Sequence, residues 1–248
     1  MFNKCSKLSG LPDGFSAPKA TNASGMFYNC TSLLSLPDGF SAPNAVSAND
    51  MFNNCSKLSG LPDGFSAPKA TNTSGMFYNC PRLSRLPESF SATNTVNTSG
   101  MFYNCYRLSG LPDGFSVPRA TNTRHMFYSC TSLSALPDDF SVQNVTDAYG
   151  MFALCSKLSG LPAGFSIPNA TNAIWMFSDC SSLSALPDGF SAPNVADAIS
   201  MFGNCSRLSS LPAGFSIPSA TNTNRHVLRL LQALRAAGWL QHPEREER

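Results

Sequence analysis

Large apolar side chains fall at fixed intervals along this chain, with polar residues between them. From Met26 the pattern reads Met-Phe, then Cys four places after the Met, Leu at seven and ten, Pro at eleven, and Phe-Ser at fourteen and fifteen. It returns every 25 residues, with Met at 1, 26, 51, 76, 101, 126, 151, 176 and 201 and Phe after each. Nine copies fill residues 1–225 without an insertion or deletion. A fixed period between 20 and 50 residues marks a repeat architecture whose units touch only their neighbours. One copy cannot bury its Phe, Leu and Met alone, but a copy held between two others can. The pattern therefore predicts an α/β repeat solenoid of nine rungs, each with a short helical turn and a short strand in a parallel sheet.

Within a copy, the Asn-x-Ser/Thr stretch ahead of each Met (Thr71 to Gly75 ahead of Met76) offers a helix N-cap. Met76, Phe77 and Cys80 then share one face of a helical turn, too short to stand without neighbours. The strand is expected at Leu58–Leu61, only two to four residues long because the apolar spacing of three is not a strand's period of two. Pro62 ends it, and Asp63-Gly64 turns the chain so that Phe65 re-enters the core. At a strand spacing of about 4.8 Å, nine rungs give a sheet roughly 40 Å long.

The pattern breaks after residue 225. Val227, Leu230, Leu231 and Leu234 form a helical stripe that Gly238 closes, and a solenoid's open end calls for such a cover. Residues 226–241 are expected to be a C-terminal capping helix, with a partner-binding or membrane-surface helix as the rival reading, and 242–248 a charged tail. Met1 coincides with the first residue of a repeat and no cap precedes it, so a fragment, or a domain cut from something longer, is one reading of the chain. Its N-terminal end is then open, covered by a partner, or continued by missing sequence.

Composition narrows the chemistry. Charged residues make up 13% of the chain against roughly 25% in ordinary globular proteins, and the net charge of +2 draws it neither to nucleic acid nor to a membrane surface. No apolar run is long enough for a transmembrane segment, and the N-terminus lacks a signal peptide's apolar core. All nine cysteines occupy one repeat position, which fits small buried hydrophobes stacked rung on rung. Scattered disulfides between rungs and a metal ladder are the alternatives; the odd number forbids complete pairing, and no Cys-x-x-Cys supplies ligand spacing. No catalytic constellation, cofactor motif or metal motif is present, so no enzyme is expected.

The motif Met-Phe-x-x-Cys-x-x-Leu-x-x-Leu-Pro, as in Met26 to Pro37 or Met176 to Pro187, resembles the repeats of about 25 residues in bacterial surface proteins related to BspA-like leucine-rich repeats. The resemblance covers residues 1–225. It implies a leucine-rich-repeat-like solenoid at a cell surface or secreted, tied to adhesion.

In a solenoid, function lies in rows of exposed residues. The seventh position gives a basic row, Lys7, Lys57, Arg82, Arg107, Lys157 and Arg207. The thirteenth gives an acidic one, Asp13, Asp38, Asp63, Glu88, Asp113, Asp138 and Asp188. Mutual charge balance and turn formation explain both rows; a ligand-binding stripe is the sharper alternative. The last two positions of each copy vary most, and Arg124, His125, Tyr149, Ile174 and Trp175 form a candidate partner-binding patch there. The expected function is a scaffold that binds a protein or glycan partner through one face; a structural spacer without a ligand is the alternative.

Overall fold

A computed structural model of the chain describes residues 1–221. They form a solenoid of stacked rungs whose equivalent residues lie over one another. The capping helix expected at 226–241 and the tail at 242–248 fall outside the described residues.

The backbone departs from the expected helical turn and strand. Among the described residues there is neither an α-helix nor a strand longer than one bridge; turns and single parallel bridges replace them. The reason is visible in the amides of residues 98–105. Those of Met101, Tyr103 and Cys105 close turns on the carbonyls of Thr98, Gly100 and Phe102, each at 3.1 Å. Those of Thr98, Gly100, Phe102 and Asn104 instead reach the next rung, donating to Asn122, Arg124, Met126 and Tyr128 at 2.8–3.0 Å. An α-helix needs every amide for the carbonyl four residues back. Here every second amide is diverted to the neighbouring rung, so the helix cannot propagate.

The parallel ladder therefore runs through the segment around each Met. Its named bridges pass from Asn22 to Ser47, Asn72, Asn97, Asn122, Asp147, Asn172 and Asp197. The strand expected at Leu58–Leu61 is reduced to one bond per rung boundary: the Ser59 N–H donates to the Leu34 carbonyl at 3.3 Å, and the Ser59 carbonyl accepts from the Ser84 amide at 3.2 Å. The expected N-cap also has another role. Asn72 Oδ1 accepts from the Ser74 amide at 3.0 Å and from its hydroxyl at 2.8 Å, a local turn that caps no helix. The Pro-Asp-Gly turn forms as expected: the Phe65 amide donates to the Pro62 carbonyl at 3.0 Å, with Gly64 at φ +86° in the third position of a type II turn.

Side-chain columns fill the interior. The Phe after each Met stacks on its counterparts with ring centroids 5.4–5.6 Å apart, as in Phe52–Phe77–Phe102–Phe127. The second Phe of each copy forms a parallel column that meets the first edge-on, Phe52 against Phe65 at 5.7 Å and 67°. Offset stacks along the rod and edge-to-face contacts across it are both favoured by the aromatic quadrupole. Leu58, Leu83, Leu108 and their counterparts from Leu33 to Leu183 are fully buried beside them. Small residues that carried little sequence signal complete the core, among them Ala42, Ala45, Ala48, Val142 and Val145.

The cysteines from Cys30 to Cys180 are free and buried, whereas Cys205 is half-buried and Cys5 exposed. Each buried thiol donates to a Phe carbonyl one rung back, Cys105 Sγ to Phe77 at 3.1 Å and Cys130 Sγ to Phe102 at 3.1 Å. A cysteine thus packs as a small hydrophobe while giving a carbonyl at the rung boundary a weak second donor. Burial pushes the Cys105 and Cys155 thiols up to about 12, well away from thiolate reactivity.

Candidate functional site

One face of the rod gathers aromatic side chains from three repeat positions. Tyr78, Tyr103 and Tyr128 stand two residues after their Met and stack along the axis, with centroids 4.4 Å and 4.7 Å apart and rings within 5° of parallel. His125 meets Tyr103, Tyr128 and Tyr149 edge-on at 5.8, 5.1 and 4.9 Å. Tyr149 in turn lies 5.4 Å from Trp175, which is 43% exposed. The Arg124 guanidinium sits 3.8 Å above the Tyr149 ring and pairs with Asp147 at 3.9 Å.

Four members of the patch read from sequence, Arg124, His125, Tyr149 and Trp175, are therefore in one contiguous cluster. Ile174 is half-buried beside them, its amide donating to Asn172 Oδ1 at 3.1 Å. Two of the rings, half-buried His125 and exposed Trp175, project from an unusual backbone conformation. His125 and Trp175 adopt φ of 55° and 57°, the left-handed region that Gly75, Gly100 and Gly150 occupy at the same repeat position. A non-glycine residue there costs roughly 1–2 kcal/mol. His125 is accommodated because the next rung has Gly150, where a Cβ would stand 2.5 Å from His125 Cδ2. Burial, and then the charge of Arg124, hold the His125 imidazole below its ordinary pKa; Asp147 opposes them in part. The ring is thus biased toward its neutral form.

The tyrosine row was not singled out in the sequence. Its signal was a Tyr recurring in four copies (Tyr28, Tyr78, Tyr103, Tyr128), diluted by Asn, Ala, Ser and Gly in the others. Beside the row runs a groove of about 530 Å³. Its lining follows the rungs, from Asp50 and Asn53 through Ser74-Gly75, Tyr78, Ser99-Gly100 and Tyr103 to Arg124-His125. The volume falls in the range of small-ligand sites.

The charged rows lie elsewhere and behave differently. Lys7, Lys57, Arg82, Arg107, Lys157 and Arg207 are exposed, as are the acidic residues from Asp13 to Asp188. Among the described residues no ion pair joins one row to the other. A second hollow, about 430 Å³, is walled by Asp113, Leu136, Pro137, Asp138 and Asp139. Among the described residues no group of His, Cys, Asp or Glu is arranged to hold a metal ion, and no helix is long and apolar enough to cross a membrane. The asparagine row forms a side-chain ladder, Asn104 Nδ2 donating to Asn79 Oδ1 at 2.8 Å and Asn204 Nδ2 to Asp179 Oδ1 at 2.8 Å.

The stacked rungs and in-register columns define a repeat solenoid. The chain belongs to the DUF285 family, described as "Mycoplasma protein of unknown function", whose profile matches residues 1–115 and again 113–215. A search of curated proteins finds no match. Among solved structures it is similar to a leucine-rich repeat protein of T. pallidum, at 19% identity over 94% of this chain and 84% of that one, with a TM-score of 0.40. It is also similar to an internalin from Listeria monocytogenes, at 14% identity over 90% and 75% of the two chains, with a TM-score of 0.33.

Proposed function

We propose that this protein is a non-enzymatic repeat scaffold that binds a protein or glycan partner through the face bearing Tyr78, Tyr103, Tyr128, His125, Tyr149 and Trp175. The observation that carries this reading is the continuity of that face: six aromatic rings over five rungs, stacked or edge-on, with a half-exposed tryptophan at one end. Aromatic residues are enriched where proteins meet partners, because they bring large contact area at small entropic cost. The resemblance to BspA-like surface repeats favours a cell-surface or secreted setting and a role in adhesion.

The test is a screen of the purified chain on glycan and host-protein arrays beside Trp175→Ala and a Lys57→Ala/Arg82→Ala/Arg107→Ala variant. Binding that Trp175→Ala abolishes assigns the aromatic face; binding lost only in the basic-row variant moves the site to that row. No binding on any array overturns the scaffold reading in favour of a structural spacer.

A further inference from the structure

The tyrosine row has a gap. Across successive rungs its position is held by Tyr28, Asn53, Tyr78, Tyr103 and Tyr128. The backbone keeps register through the gap: the Asn29 amide donates to the Asn53 carbonyl and the Asn54 amide to that of Tyr78, both at 2.7 Å. Where the row is filled, rings follow one another at 4.4–4.7 Å, and Tyr78 lies over Gly100, whose Cβ would stand 3.3 Å from Tyr78 Cδ2. In the third copy Asn53 replaces the ring above Gly75. Its amide turns aside and donates to Asp50 Oδ1 at 2.7 Å. Tyr78 is therefore covered by Tyr103 on one face only, and its other face looks back along the row into the groove end formed by Asp50 and Asn53.

The groove's chemistry limits what can fill that gap. Hydroxyls of Ser74 and Ser99, the Asn53 amide and the Asp50 carboxylate supply hydrogen-bonding groups along its length, while Tyr78 and Tyr103 offer ring faces. Its charges are few: Asp50 at one end, and at the other Arg124, already paired with Asp147 and stacked on Tyr149. An anion gains little from Arg124 and is repelled by Asp50. A ring with an apolar face and a hydroxylated, uncharged rim satisfies both the open Tyr78 face and the polar lining. From Asp50 to His125 the groove crosses three rung steps, about 14 Å at a spacing of about 4.8 Å, a length suited to a few linked rings. A protein partner would need a contact of about 800 Å² on its own side, far wider than this slot.

We infer that the groove from Asp50 to His125 binds an uncharged oligosaccharide, with one pyranose ring seated on the open face of Tyr78 where the third copy lacks its tyrosine. This rests on the partner-binding reading above and names the partner and the place. Asp50 and Asn53 accept and donate to the hydroxyls of that ring; Ser74 and Ser99 meet the rings that follow.

The experiment uses the full chain. A printed array of neutral and acidic oligosaccharides selects the tightest-binding neutral tetrasaccharide, which is then titrated calorimetrically into wild type, Asn53→Tyr, Tyr78→Ala, Tyr78→Phe and the surface control Asp63→Ala. Asn53→Tyr restores the residue found in neighbouring copies. It is expected to keep or raise the urea midpoint while weakening binding about three- to tenfold, the weight of one aromatic contact. Tyr78→Ala weakens binding similarly, and Tyr78→Phe and Asp63→Ala retain it. Should Asn53→Tyr lower the midpoint, the contrast between Tyr78→Ala and Tyr78→Phe decides. Binding of acidic glycans only, no neutral glycan bound, or undiminished binding by both Asn53→Tyr and Tyr78→Ala overturns the inference. A protein ligand lost in Trp175→Ala but unaffected by Asn53→Tyr also overturns it, while leaving the scaffold reading intact.

Discussion

The interior columns and the aromatic face are built on the same 25-residue period, yet they obey opposite rules. Inside, Phe77, Phe102 and Phe127 sit in equivalent environments, as do Cys80, Cys105 and Cys130, because each is sandwiched between identical copies of itself. Any one change disturbs two interfaces, and the Met, Phe, Cys and Leu positions never vary; only smaller core positions do, as Ala42 against Val142. On the face, a residue's neighbour is one rung away and only partly covering. Gly75 lies against Asp50, Gly100 against Tyr78 and Gly150 against His125, three combinations at one backbone position. The interior makes the rod; the face differs from rung to rung, and only a varied surface distinguishes one ligand from another.

Alkaline pH should separate the two regions most sharply. A thiol in the unfolded chain ionises near 9.0, whereas Cys105 and Cys155 are held up to about 12 by burial, and Cys80, Cys130 and Cys180 are raised as well. A raised folded-state pKa gives stability that is whole below pH 9 and is lost as pH climbs from 9 toward 12, since only the unfolded chain releases its protons there. Each such thiol removes up to about 1.4 kcal/mol per pH unit. Urea midpoints at pH 8 and 10 should fall steeply, and the slope should flatten in Cys105→Ala/Cys155→Ala.

Phe102→Ala should follow, at about 3–5 kcal/mol in urea unfolding, because it opens a cavity between two stacked rings. Gly100→Ala probes the boundary between the regions: φ of +60° and a Cβ 3.3 Å from Tyr78 predict a loss of roughly 1–2 kcal/mol. Gly110→Ala, with nothing within 4 Å, and the outward Asp63→Ala should each stay within about 0.5 kcal/mol. A large loss in either would mean that the outer rows carry stability as the columns do.

Much of the interior could be read from spacing alone. The Met, Phe, Cys and Leu positions recur without exception, and recurrence at a fixed period places them over one another. Pro62-Asp63-Gly64 announced its turn because that composition suits a type II geometry. The hydrogen-bond ladder could not be read the same way: apolar spacing says which side chains turn inward and is silent on which amides cross between rungs. Leu58–Leu61 looked like the strand, but the pairing went to the segment around Met, where left-handed residues such as Gly100 and Asn104 let alternate amides point along the axis. The face was partly visible through the variable Arg124, His125, Tyr149, Ile174 and Trp175. The groove was hidden because it depends on what is missing, a ring at Asn53 and a side chain at Gly75.

The central claim is that rungs are joined through the segment around each Met, and amide hydrogen exchange followed by NMR tests it residue by residue. Slow exchange at Thr98, Gly100, Phe102 and Asn104, with fast exchange at Gly110 and Leu111, is the predicted result. Protection at Gly110 and Leu111 with free exchange at Gly100 and Phe102 would contradict it.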